Sequence, residues 1–312
     1  VGYLIDGTVE NASMNENPRG IATYKDENKN VFDANIFGLA AGGIVGSTVS
    51  RPFSPRASGS AIRNSTADAT VAGLEFVGGL VGVGETVTGS TADGAVSGQA
   101  YTGGLTGLAL GDVTDSAATG DVQRIFVESD LPEGNHGGLV GATGGNVTDS
   151  RATGNVASSN DAVGGLVGTV GLSALGVTTT VDLSVVNSTA TGDVDGRSLV
   201  GGLVGRSDTG NNTVTIDTSN ATGQVNGTAN IGGLIGRASG TSPTHISNSW
   251  ASGSVNATES GTTRAGGLVG AFNMGGNMGG NITASNASGT VSGNGNQSGG
   301  LVGFNKGGII TD

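Results

Sequence analysis

A five-residue block, Gly-Gly-(Leu/Ile)-x-Gly, occurs nine times in this chain, and no other feature restricts the fold so strongly. The copies are Gly42–Gly46, Gly78–Gly82, Gly103–Gly107, Gly137–Gly141, Gly164–Gly168, Gly201–Gly205, Gly232–Gly236, Gly266–Gly270 and Gly299–Gly303, starting 25 to 37 residues apart. A second block, Ser-x-Ala-(Thr/Ser)-Gly-x-Val, lies between them. It is clear at Ser116–Val122, Ser150–Val156, Ser188–Val194, Ser219–Val225, Ser249–Val255 and Ser285–Val291, and looser at Ser65–Val71 and Ser90–Val96. Self-similarity at a period of roughly 20–50 residues marks a repeat architecture, in which each unit buries its apolar side only by stacking on its neighbours.

Side-chain alternation reads the second block as a strand. Ser188, Ala190, Gly192 and Val194 share one face and stay small or apolar in every copy, while the positions of Thr189 and Asp193 vary. Constancy within the repeat marks the inside, variation the solvent side. In the first block both apolar positions persist. Read as a strand, it sends Leu80, Leu139, Leu166, Leu203, Leu268 and Leu301 one way and Val81, Val140, Val167, Val204, Val269 and Val302 the other. A strand apolar on both faces is covered on both, so the outer face is expected to lie under loops of the chain or under a neighbouring molecule. The flanking glycines allow tight turns and close backbone approach.

Helical solenoids share periods near 33, but glycine is 62 of 312 residues, against about 7% in ordinary chains, and glycine, threonine and valine all disfavour helix. The expected fold is therefore all-β: a single β-solenoid of about nine coils, each with a GGLVG strand and an SxATGxV strand. At about 4.8 Å per coil it forms a rod on the order of 45 Å long.

Residues 42–303 form the repeat array and residues 1–41 a first partial coil. Residues 10–37, with Tyr24, Phe32 and Phe37, read as an inserted cap or loop. The segments 47–63, 121–136, 169–186 and 271–280 are expected to be outward loops. Residues 304–312 form a terminal half-coil in which Gly307–Asp312 resembles Gly144–Asp149, the segment that precedes a second block, whereas Tyr3-Leu4-Ile5-Asp6-Gly7-Thr8-Val9 resembles that block itself. Two readings of this complementarity stay open. One is a head-to-tail junction between molecules through Tyr3, Leu4, Ile5, Val9, Ile309 and Ile310, since a heterologous contact that does not close propagates into a fibre. The other is a segment cut from a longer array.

The two blocks together resemble the GLUG-motif repeats, with good matches at Gly137–Val156, Gly201–Val225 and Gly266–Val291. The resemblance covers about residues 42–303 and implies a secreted or cell-surface protein of bacterial or archaeal type, adhesin-like or an accessory region of a larger enzyme. The His-Glu-x-x-His signature of peptidases that carry such repeats is absent, so that activity does not carry over.

Composition removes several function classes. A net charge of −12 argues against nucleic acid as a partner. There is no cysteine, hence no disulfide or thiol chemistry, and no run approaches the roughly 18 apolar residues of a membrane helix. Two histidines, His136 before a GGLVG block and His245 after Pro243 in a loop, read as surface residues rather than metal ligands. Parallel β-helices also host polysaccharide-cleaving enzymes, for which Asp193 with Asp195, or Asp112, Asp115 and Asp121, would supply carboxylates. However, Asp121 and Asp193 occupy variable outward positions, and Asp115 and Asp149 precede the second block, where Asx side chains favour turns. Gly42–Gly46 lacks the Lys-Ser/Thr of a phosphate loop. No catalytic residue, metal or cofactor is indicated.

Candidate N-glycosylation sites are Asn11, Asn64, Asn146, Asn187, Asn211, Asn220, Asn226, Asn256, Asn281, Asn286 and Asn296, each in Asn-x-Ser/Thr. The expected function is a non-enzymatic, extracellular structural or adhesive rod, self-associating head to tail or laterally and meeting cell-surface glycans or a neighbouring cell. The alternatives are a carbohydrate-binding or polysaccharide-cleaving β-helix, or a stalk segment of a larger secreted protein.

Overall fold

In a computed structural model the chain coils into an all-β, parallel solenoid, described over residues 8–14, 22–25, 31–34, 36–47, 60–126, 134–176, 181–208, 210, 212–275 and 279–312. One coil shows the plan. Strands Val147–Thr148, Arg151–Ala152, Val156–Ala157, Asp161–Gly164 and Val167–Val170 follow one another around the circuit. Each pairs in parallel with its equivalent one coil on: Val147 with Val185, Ala152 with Ala190, Val156 with Val194, Gly164 with Gly201 and Val167 with Val204. Stacked along the axis, they form four parallel sheets of ten, nine, fourteen and nine strands. A two-stranded antiparallel ribbon, Ala22–Lys25 with Val31–Ala34, lies within the inserted segment, and Ser173–Leu175 makes a single 3-10 turn within 169–186.

The faces of the second block fall as the alternation predicts: Ser188, Ala190 and Val194 are buried, Thr191, Asp193 and Asp195 exposed. The block is not one strand, however. It turns a corner after the alanine, so that Thr189–Ala190 and Val194–Asp195 belong to different sheets. Alternation survives because the turn keeps the extended register, which makes a bent segment look straight from sequence.

The reading of GGLVG as a strand with two opposed faces is corrected. Its second glycine and its leucine form the corner between two strands, and leucine and valine both enter one core: Leu166, Val167, Leu203 and Val204 are all fully buried there. Leu166 and Val167 each donate to the Leu203 carbonyl at 2.9 Å, as a sharp bend requires. With both side chains in one core, the block has no second apolar face that needs covering. The strands on either side of the corner meet backbone to backbone: a Cβ added at Gly164 would lie 2.7 Å from Gly205 N, and one at Gly205 2.6 Å from Val163 N.

Two further columns explain the constant residues. The Ala190 Cβ lies 3.0 Å from where Gly165 would carry its own, and every such Gly–Ala pair from Gly43–Ala67 to Gly267–Ala287 falls between 2.8 and 3.0 Å. Neither partner has room to grow. The serine hydroxyls form a buried ladder: Ser188 Oγ accepts the Ser150 N–H at 3.2 Å and donates to the Val186 carbonyl at 2.9 Å. The pattern repeats from Ser65 through Ser285, so each corner satisfies polar groups that burial would otherwise leave unpaired.

Candidate functional site

The carboxylates weighed as catalysts are spread along the rod, each tied to the next coil. Asp112 Oδ1 accepts the Asn146 N–H, Asp121 Oδ1 the Asn155 N–H and Asp193 Oδ1 the Gln224 N–H, all at 2.8 Å, while Asp195 Oδ1 accepts the Asn226 amide at 2.6 Å. Asp115 and Asp149 occupy left-handed corners at φ 51°, the turn role expected of them. Asp217 accepts from the Ser247 hydroxyl at 2.6 Å and the Asn248 amide at 2.9 Å, and these bonds, Ser247's first, hold its carboxyl below the usual range. Among the described residues no group of three or more His, Cys, Asp or Glu side chains converges on a metal-sized site.

Both histidines are placed differently from expectation. His136 is fully buried on the strand Gly134–Gly137, between Thr102 and Val163 in register. Its Nε2 lies 3.2 Å from the Gly98 carbonyl and its Nδ1 3.3 Å from the Ser158 hydroxyl. With a carbonyl as its only partner there, Nε2 carries the proton and Nδ1 accepts from serine. Burial, reinforced by the positive charge of Arg124 and opposed by the Gly98 bond, lowers its pKa to about 4. His245 lies not in a loop but on the strand Thr244–Ser247, where its ring bonds Asn281.

Of the candidate glycosylation sites, Asn11, Asn64, Asn187, Asn286 and Asn296 are exposed; Asn146, Asn220, Asn226, Asn256 and Asn281 are half-buried, and Asn211 lies outside the described residues. Asn146, Asn226 and Asn256 spend their side chains on neighbouring coils. Of the junction candidates, Tyr3, Leu4 and Ile5 also lie outside the described residues. Val9 is half-buried and pairs with Ile62, whereas Ile309 and Ile310 are 59% and 43% exposed on the edge strand Ile309–Thr311.

A site that motif reasoning missed lies where the two strands flanking GGLVG face each other beyond their glycines. The residue after each block stacks in register: Ser47, Val83, Leu108, Ala142, Thr169, Arg206, Arg237, Ala271, Phe304. Early in the rod this seam is apolar, with Phe76, Val83, Tyr101, Leu108, Ala142 and Leu172 packed together. Further along it becomes basic. Arg206 meets Asp208 at 2.5 Å, but among the described residues Arg237 has no carboxylate within ion-pair distance, and the Nε atoms of both arginines are buried without a hydrogen-bond partner. From the facing strand, Arg264 donates to Gln297 Oε1 at 2.8 Å and Asn230 Oδ1 at 3.1 Å, its guanidinium 4.8 Å from the Phe304 ring centroid. Aligning the residue after each GGLVG block would have revealed the pair: it is arginine in two successive copies.

No protein-family model, curated protein or solved structure matches this chain. Its function is therefore argued from the geometry alone.

Proposed function

We propose that this chain is a non-enzymatic structural and adhesive rod of the extracellular, cell-surface kind. One observation carries the reading: the residues common to the repeats are consumed in holding coil to coil. The serines make the buried ladder, the Gly–Ala pairs set the corner, and the leucines and valines fill the core. The variable aspartates at outward positions add ladder bonds rather than forming a cleft. What varies on the outside is left to meet partners.

Head-to-tail association of copies belongs to the same proposal. Its docking surface would be the exposed Ile309 and Ile310 with the half-buried Ala287, Leu301 and Val302, a coil face that another copy or a further coil of a longer array would cover. Open strand edges with apolar flanks pair readily. Cryo-electron microscopy of the native material is the test. Filaments with an axial repeat on the order of 45 Å, the length of nine coils, are the expected result; isolated globular particles without the rod shape would overturn the structural role.

Surface glycosylation follows the same reading. Peptide mapping of protein from its producing cell is expected to find glycans at Asn64, Asn286 or Asn296, which are exposed, and none at Asn226 or Asn256. A glycan on Asn226 would replace one of the two hydrogens of the amide that holds Asp195 and crowd that nitrogen against the neighbouring coil. Occupancy at Asn226 with the coil intact would contradict the ladder assignment.

A further inference from the structure

The arginine-lined stretch of the seam is chemically one-sided. Arginine has donors and no acceptor, so the oxygens of Asn230 and Gln297 must be the atoms turned to Arg264. This leaves the Asn230 and Gln297 amino groups as further donors beside the guanidinium of Arg264. Among the described residues Asp208 is the single carboxylate beside the arginines, and it is bonded to Arg206. Three cations face one anion in a protein whose net charge is −12.

The crowding is unfavourable as it stands. Burial removes water from Arg237, and the like charges of Arg206 and Arg264 add to the cost of its charge, eased only by Asp208. Buried Nε donors on Arg206 and Arg237 without partners cost still more. An oxyanion placed among the guanidiniums would supply acceptors to the unpaired donors and offset the like-charge repulsion together. Arginine's planar fork matches carboxylate, sulfate and phosphate geometry.

We infer that Arg206, Arg237 and Arg264, with the amides of Asn230 and Gln297, form a binding site for an oxyanion, the charged group of an acidic saccharide being its adhesive ligand. The column gives such a chain a track: Arg206 and Arg237 sit in register on adjacent strands, about 4.8 Å apart, with the Phe304 ring two strands further on. The site goes beyond the rod reading and does not depend on it.

Isothermal titration at low ionic strength with three probes tests it: sodium sulfate, a sulfated oligosaccharide and an oligouronate. Arg237→Ala and Arg206→Thr are the test variants, because alanine and threonine already occupy this register at Ala271 and Thr169, so the fold accepts them. Arg151→Ala, at an exposed arginine on another sheet, is the control for net charge. Each test variant is expected to weaken oligosaccharide binding by about tenfold or more, from the loss of charge-assisted hydrogen bonds, with the control within about twofold of the parent. Sulfate binding alone, lost in the same variants, would support the oxyanion site and assign it to small anions. No binding of any probe, or equal loss in Arg151→Ala, would overturn it. Rods without binding would refute the site alone, and binding without rods the structural reading alone.

Discussion

Replacing Gly165 by alanine should cost this protein about 3 kcal/mol or more, the upper range for overpacking a closed core. The identical change at Gly300, the same position of the motif, should cost almost nothing as long as no further coil, of this chain or of another copy, stacks on it. At Gly165 the new methyl would fall 2.1 Å from the Gly202 carbonyl oxygen and 3.0 Å from the Ala190 Cβ; the first of these is backbone and cannot swing aside. At Gly300 no atom lies within 4 Å. Both substitutions carry the same small change in unfolded-state entropy, so the difference isolates the stacking contact. Thermal unfolding followed by circular dichroism reads it directly. A comparable loss at both sites would mean that glycine serves backbone freedom at this corner rather than room for the next coil.

That contrast also shows what a sequence can and cannot say about such a fold. The period, the parallel stacking and the inward set of Ser, Ala, Gly and Val were legible, because each coil presents the same chemistry to the next and selects the same residue. Corners were not. A chain that turns at Gly-Leu can send two consecutive side chains, Leu166 and Val167, into one core, which the two-residue period of a straight strand forbids. Conversely, the corner inside Ser188–Val194 preserves alternation and so hides itself. The coils also differ in length, from 25 to 37 residues, and the extra residues blur register outside the two blocks. His136 was therefore read as a surface residue, although it stacks between Thr102 and Val163 inside the protein. The outward placement of Asp121 and Asp193 was legible from their variable positions. The basic seam needed register, because Arg264 reaches it from a different strand than Arg206 and Arg237.

His136 should make the rod acid-sensitive at a pH where carboxylates are still mostly ionised. In the unfolded chain a histidine titrates near 6.5; folded, this one is held at about 4, chiefly by burial. Above pH 6.5 both states leave it neutral and it adds no pH dependence. As the pH falls from 6.5 towards 4 the unfolded state takes up a proton that the folded state refuses, and stability is lost. At 1.36 kcal/mol per unit the full loss is about 3 kcal/mol, most of it incurred by pH 4.5. His136→Val is the informative variant, because Val163 and Val200 continue the same column. The Gly98 carbonyl keeps its bond from the Ile125 N–H and the Ser158 oxygen keeps the Asn160 N–H, so removing the ring costs only the bond from the Ser158 hydroxyl to Nδ1, about 1 kcal/mol net. The variant should match the parent within about 1 kcal/mol at pH 7.5. At pH 4.5 it should exceed the parent by about 2 kcal/mol or more, measured by denaturant unfolding at both pH values. Parallel losses in the two proteins would mean that His136 is reached by water in solution. Asp217 could not supply such a loss at pH 4.5, because its lowered pKa makes stability fall with pH only below the ordinary carboxylate range.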